Sequence, residues 1–145
     1  MFIGLHNTSL DSKHRLALPT RYRGALAGGV YITQGFERDL LLMSSDAFEA
    51  VVRQIKGMNM ADPLARLLFR MILGSATRLE LDKNGCILIP QELIEFANIE
   101  NDALLVGQGN YFELWTPNMW KEQEISLNNV EANSHRFASL SICTG

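Results

Sequence analysis

Within five residues near the start of the chain stand an acid, a lysine and an arginine, in the run Asp11-Ser12-Lys13-His14-Arg15. An aspartate in such a place accepts hydrogen bonds from backbone groups just ahead of it and so shapes a tight turn. The arginine four residues on carries a planar fork of donors. That fork suits a phosphate, or O6 and N7 of guanine in the major groove, where it is worth about 1–3 kcal/mol of discrimination against a wrong base. Lys13 is a point charge better matched to a phosphate. Arg21 and Arg23 follow Pro19 at the expected start of a short helix, where backbone donors also favour a phosphate. An ion pair of Arg15 with Asp11 is compatible with these roles and, if exposed, contributes roughly 0–1 kcal/mol. His14 reads as a residue of the turn rather than a reader of bases.

The other reactive side chains point elsewhere. Cys86, with His6, His14 or His135 as base, is the combination that would support nucleophilic chemistry. However, the sequence has no G-x-S-x-G, HExxH or phosphate-loop pattern, and Cys86 opens a predicted strand with no basic neighbour in sequence to lower its pKa. Cys86 and Cys143 form neither a C-x-x-C nor a zinc spacing with histidine. A non-enzyme is expected, with no metal, no cofactor and no small-molecule substrate.

These residues belong to a unit that occurs twice. Leu10 to Pro19 aligns without a gap on Leu81 to Pro90, placing Asp82 on Asp11 and Cys86 on Arg15. Farther along, Gln34-Gly35 matches Gln108-Gly109, and Leu42-Met43-Ser44 matches Leu114-Trp115-Thr116. Self-similarity of this kind marks a duplicated structural unit.

Each unit is predicted to run strand, tight turn, strand, short helix, hairpin, helix. Residues 15–18 and 86–89 suit strands closed by Pro19 and Pro90, which lack a donor. Residues 30–34 with 40–43, and 103–107 with 111–115, suit hairpins bent at Gly35 and Gly109. In the second turn, Asp82 and Asn84-Gly85 supply an anchoring acid and residues tolerant of positive φ. If the two strands flanking the first turn pair, they make a ribbon narrow enough for the major groove, with Lys13 and Arg15 at its tip.

Helical signals sit between and after the hairpins. Asp46 with Glu49 resembles a capping box, Phe48, Val51, Val52 and Ile55 follow helical spacing, and Gly57 suits the position just past the end. Asp62 and Pro63 start a second helix, in which Leu64, Leu67, Leu68, Met71 and Ile72 form an apolar stripe read as core, and Gly74 ends it. Trp115 and Trp120 read as core or interface. Beyond about residue 126 the pattern weakens, and the tail is expected to be mobile or to dock on a neighbour. The division is a first repeat over 1–57, a connecting helix over 58–74, a second repeat over 75–125 and a tail over 126–145.

Composition sets outer bounds. The 145 residues are 47% hydrophobic and 20% charged, enough for a packed core without disulfides. The start of the chain lacks the pattern of a secretory signal, and no apolar run approaches the about 20 residues of a membrane span, so a cytoplasmic protein is expected. The formal net charge of −3 is unevenly spread. Residues 1–27 hold Lys13, Arg15, Arg21 and Arg23 against Asp11 alone, whereas residues 100–131 hold six acids against Lys121. One face is thereby suited to an anion.

Met1-Phe2, the Asp11 to Arg15 turn, Pro19-Thr20-Arg21-Tyr22-Arg23, the second turn at Asp82, Leu105-Val106-Gly107-Gln108, Phe112-Glu113-Leu114-Trp115 and Arg136-Phe137-Ala138 together resemble the MraZ family, over nearly the whole chain. The resemblance implies an α+β, mainly β, fold of tandem AbrB-like halves, a double-split β-barrel. It also implies a ring-shaped homo-oligomer, associated with the nucleoid, that binds double-stranded promoter DNA at short G-rich repeats and regulates the cell-division and cell-wall gene cluster, typically as a repressor. Its signature D-x-x-x-R is intact as Asp11 and Arg15. Two departures are His14 in place of the usual glycine and Cys86 in place of the second arginine. The halves are therefore expected to divide the labour, the first turn reading DNA and the second scaffolding the ring. A ring-forming protein without DNA binding is the competing reading.

Overall fold

The computed structural model describes residues 1–143. The first half runs β1 (Leu5–Ser9), β2 (Arg15–Ala17), two single 3-10 turns (Thr20–Tyr22 and Gly24–Leu26), β3 (Val30–Gln34), β4 (Leu40–Ser44) and α1 (Ser45–Lys56). After α2 (Pro63–Ile72) the pattern recurs as β5 (Thr77–Leu79), β6 (Cys86–Leu88), α3 (Gln91–Ala97), β7 (Asp102–Gly107), β8 (Tyr111–Trp115) and α4 (Pro117–Leu127), followed by α5 (Val130–Arg136). The fold is α+β, mainly β, in two like halves.

The halves are folded into each other. A six-stranded antiparallel sheet has the order β1-β7-β8-β4-β3-β5, and β2 pairs with β6 in a sheet of their own. The six-strand order reads the same from either end once each strand is replaced by its repeat partner. The first strand of each half is thus hydrogen-bonded into the other half. The expected ribbon of the two strands flanking the first turn does not form. Those segments are joined by one isolated backbone bridge, Leu10 to Leu16, and by the Thr8 hydroxyl, which donates to Ala17 O at 3.1 Å. Strand β2 is three residues long and buries little by folding back on β1, whose residues alternate between exposed and half-buried. Pairing across the halves brings Leu16 and Leu18 together with Ile87 and Ile89 in the core, all at most 2% exposed. Burying four such side chains contributes about 1.5–3 kcal/mol each. The same core holds Val30, Ile32, Leu40, Leu42, Leu105, Phe112 and Leu114 from the large sheet. β1 and β5 end the hydrogen-bonded order, so the ribbon covers the sheet by packing rather than by a closed ladder.

Aromatic contacts fix the segment carrying Arg21 and Arg23. Phe2 stacks on Phe112 with centroids 4.6 Å apart, Tyr22 meets both edge-on at 5.3 and 5.1 Å, and the Tyr22 hydroxyl donates to the Ile3 carbonyl at 3.2 Å. A second cluster sets Trp115 edge-on to Trp120 beside Val106.

Several helix details differ from expectation. The N-cap of α1 is Ser44, whose Oγ accepts from Ala47 N at 3.3 Å, so Asp46 lies inside the first turn instead of forming a capping box. Gly57 closes this helix with φ −75°, in ordinary right-handed geometry. Asp62 does cap α2, its Oδ1 accepting from Leu64 N at 2.9 Å, with Pro63 in the first position. The α2 stripe is not core as a whole. Ala65 and Ile72 are buried, whereas Leu64 is 72% and Leu67 60% exposed, because the helix turns one edge of its apolar face to the sheet and leaves the rest outside. The tail is helical as far as Arg136, since Asn129 caps α5 through its side chain and Ala132 N. No helix among the described residues is long and apolar enough to cross a membrane.

Strands exchanged between halves leave neither half a complete sheet, so unfolding should be one cooperative transition. Far-UV circular dichroism and tryptophan fluorescence should give coincident urea curves, and Leu16→Ala should shift both by about 2–5 kcal/mol. Two separated transitions would show that the halves are independent.

Candidate nucleic-acid interface

The first turn is organised by one carboxylate. Asp11 Oδ1 accepts from Lys13 N at 2.8 Å and Arg15 N at 3.0 Å, while Oδ2 accepts from Arg15 Nε at 2.8 Å. Backbone bonds from His14 N to Asp11 O and from Asp11 N to Arg15 O, both 3.0 Å, close the loop. This leaves His14 at φ 63°. It is the left-handed position of a bulged turn, where glycine is cheapest and histidine is tolerated. The Arg15 backbone N–H, then its guanidinium, and the Lys13 N–H hold the Asp11 carboxyl down at about 2. In return the Asp11 carboxylate raises the pKa of Arg15. Arg15 spends only Nε on the pair. Among the described residues its two terminal nitrogens have no hydrogen-bond partner, and its side chain is 44% exposed.

The second turn repeats this geometry without the arginine. Asp82 Oδ1 accepts from Asn84 N at 2.8 Å and Cys86 N at 3.0 Å, Gly85 N donates to Asp82 O at 3.0 Å, and Gly85 has φ 76°. The Asp82 carboxyl is lowered chiefly by the Cys86 N–H, with further help from Asn84 N and from the charges of Arg15 and Arg23. Between the turns, β2 and β6 run antiparallel, pairing Arg15 with Leu88 and Ala17 with Cys86. The bonds from Ile89 N to His14 O and from Leu18 N to Gly85 O, 3.0 and 3.1 Å, carry the ladder into both turns. Leu16 and Ile87 point inward, so period-two alternation puts Arg15, Ala17, Cys86 and Leu88 on the outer face.

The predicted residues do not form one cluster. Lys13 and Arg15 share the first turn and are exposed. Arg21 is exposed over the Tyr22 ring, 5.2 Å from its centroid. Arg23 is half-buried, its Nε donating to Leu18 O at 2.9 Å, and it packs over Gly85 of the second turn. It is therefore placed by its own backbone contact rather than by a helix N-terminus, since the segment is only a 3-10 turn. Sequence reasoning passed over Lys83, exposed in the second turn. The aligned copies would have shown it as a cation one place before the position of Lys13.

The cysteine and histidines are not brought together. His6 Nε2 donates to Ile3 O at 2.9 Å and packs edge-on to Tyr22 and Phe112, and His14 lines a groove with Gln91, Ile94 and Glu95. No described histidine bonds to Cys86. The most perturbed carboxyl lies away from the turns. Burial, with the Asp39 and Glu37 carboxylates nearby, pushes Glu113 up to about 7 against the Trp115 Nε1–H bond that favours its charge.

Architecture and site together define a tandem-repeat β-rich protein in which two copies of one unit exchange strands around a shared ribbon, each copy opening on an aspartate-anchored turn. The sequence pattern described as "MraZ protein, putative antitoxin-like" matches residues 1–71 and again 72–139. The chain belongs to the MraZ family. It is 38% identical over 138 residues to the transcriptional regulator MraZ of Roseiflexus castenholzii, covering 95% of this chain and 94% of that protein. It is 37% identical over 141 residues to that of Thermomicrobium roseum, covering 97% and 99%. With that of Methylococcus capsulatus it shares 36% identity over 141 residues, covering 90% and 93%.

A carboxylate whose pKa is lower folded than unfolded stabilises the fold fully above its unfolded value, near 3.8, and loses that contribution as pH falls towards about 2. Carboxyl titration by NMR should place the Asp11 midpoint near the lower value, and Arg15→Ala should move it upward. A midpoint that ignores Arg15 would mean the pair does not form in solution.

Proposed function

We propose that this protein is a transcription regulator that binds double-stranded promoter DNA through the outer face of the β2–β6 ribbon and its turns. The observation that carries this reading is the state of Arg15. Its Nε is clamped by Asp11, so the side chain is oriented before any ligand arrives, while the terminal nitrogens stay free to make a two-pronged contact. Such preorganisation lowers the cost of ordering a long side chain on binding. Lys13 and Arg21 add exposed charge in the same N-terminal region. The relatives named as transcriptional regulators agree with this reading. Binding G-rich repeats ahead of the cell-division and cell-wall cluster, as a repressor at the nucleoid, is the family role that fits it.

The same reading includes self-assembly. Phe36, Met60, Leu64 and Leu67 are 60–73% exposed, and Phe36, Leu64 and Leu67 line an open apolar groove of about 650 Å³. An exposed apolar surface of this kind marks an interaction site. A ring would set several Arg15 turns in register on repeated DNA and multiply modest single affinities.

Gel shifts on the DNA upstream of its own gene, at several salt concentrations, test the function. Affinity should fall steeply with salt despite the net negative charge, as counterions leave the phosphates. Arg15→Ala should abolish specific binding at unchanged assembly mass. Salt-independent binding, or an Arg15→Ala variant as specific as the parent, would overturn the reading. An assembly that never binds DNA would favour a ring-forming interaction protein instead.

Leu64→Glu with Leu67→Glu should lower the mass measured by light scattering and leave the circular dichroism spectrum intact. A parent that is already a monomer while binding DNA tightly would rule out the ring.

A further inference from the structure

The second turn lacks its own arginine, yet a cation lies against it. Arg23 comes from the first half, crosses to Gly85 and covers it so closely that a methyl group at Gly85 would overlap its Nε, Cζ and Cδ. Gly85 is buried, and the charge of Arg23 reaches Asp82 after that of Arg15, so it is the packing on Gly85 that assigns Arg23 to this turn. Arg23 Nε is fixed on Leu18 O at 2.9 Å, and among the described residues its terminal nitrogens have no partner. This is the state of Arg15 at the first turn, where Nε is clamped and the fork left free.

The repeat makes the exchange legible. Residue 23 aligns with residue 94 and residue 85 with residue 14. At the first turn these places hold His14 and the buried Ile94, which line one groove with Gln91 and Glu95. The first turn therefore has its own arginine and an uncharged residue across from it. The second has a glycine small enough to admit an arginine from the opposite half. Each turn is left with one clamped guanidinium.

We propose that Arg23 serves the second turn as its DNA-contacting cation, in place of an arginine at position 86, so that both ends of the ribbon engage phosphate. This rests on the DNA-binding reading above and replaces the division of labour expected from the sequence. Lys83, exposed in the same turn, adds to the positive charge there.

The test is a double-mutant cycle on the salt dependence of promoter binding, using the full chain at verified assembly mass and melting temperature. Arg23→Ala should weaken binding to all sequences alike and lower the salt slope by about one. Gly85→Ala, which displaces the guanidinium without deleting it, should act in the same direction, and Arg23→Lys should keep most of the slope. Cys86→Arg should restore the lost unit of slope in the Arg23→Ala background and add less to the parent, because the two arginines would serve one place. Equal gains from Cys86→Arg in both backgrounds, or an Arg23→Ala variant with unchanged affinity beside a defective Arg15→Ala, would overturn the assignment while leaving the functional reading in place. A parent that shows no salt-sensitive binding would overturn both.

Discussion

Two strands of three residues each, β2 and β6, come from opposite halves, and neither buries enough apolar surface to persist alone. Their antiparallel pairing solves this by bringing Leu16, Leu18, Ile87 and Ile89 into one core, and the rest of the molecule is arranged around it. Since each strand is followed by its proline and a short helical segment, fixing the ribbon fixes where Tyr22 and Arg23 on one side and Leu93 and Ile94 on the other must pack. Once β2 is held by β6, β1 is free to complete the edge at β7, and β5 does the same at β3. Strand exchange is the consequence of that one short ladder.

The same ladder sets the chemistry. Backbone bonds continue from β2 and β6 into both turns through His14 O and Gly85 O, so the turns are anchored at opposite ends of a rigid strip. Each aspartate then spends its lone pairs on the N–H groups of its own loop, which are already positioned to donate. Such donors keep a carboxylate ionised to low pH, and at the first turn Asp11 also holds the Arg15 guanidinium beside it through Nε alone, without consuming the whole fork. Net charge is therefore a poor guide to what this face attracts. The acids of residues 100–131 belong largely to β7, β8 and the helices after them, whereas Lys13, Arg15 and Arg23 lie on or beside the ribbon. Glu113 is the opposite case, a carboxyl pushed up by burial and by the nearby Asp39 in spite of the bond it accepts from Trp115 Nε1.

The α2 helix shows where amphipathic patterning misleads. Its stripe is regular, and periodicity by itself cannot distinguish a face buried in the protomer from one reserved for another surface. Ala65 and Ile72 lie against the molecule, and Leu64 and Leu67, one turn apart, do not. Exposed leucines on a well-capped helix have the composition of a core without its neighbours.

By itself the sequence determined the duplication, the two aspartate turns, both hairpins, the proline-closed strands and the start of α2 at Asp62 and Pro63. Each of these is decided by residues close in sequence, whose backbone preferences and hydrogen bonds act over a few positions. The resemblance to the MraZ family was legible for the same reason, because its motifs are local. Only the tertiary structure decided that β2 pairs with β6 instead of β1, that Ser44 rather than Asp46 caps α1, and that Arg23 lies against Gly85 sixty-two residues away. Strand pairing and side-chain reach depend on how surfaces are buried together across the chain, and period-two alternation marks which side of a strand turns inward without naming the strand it meets.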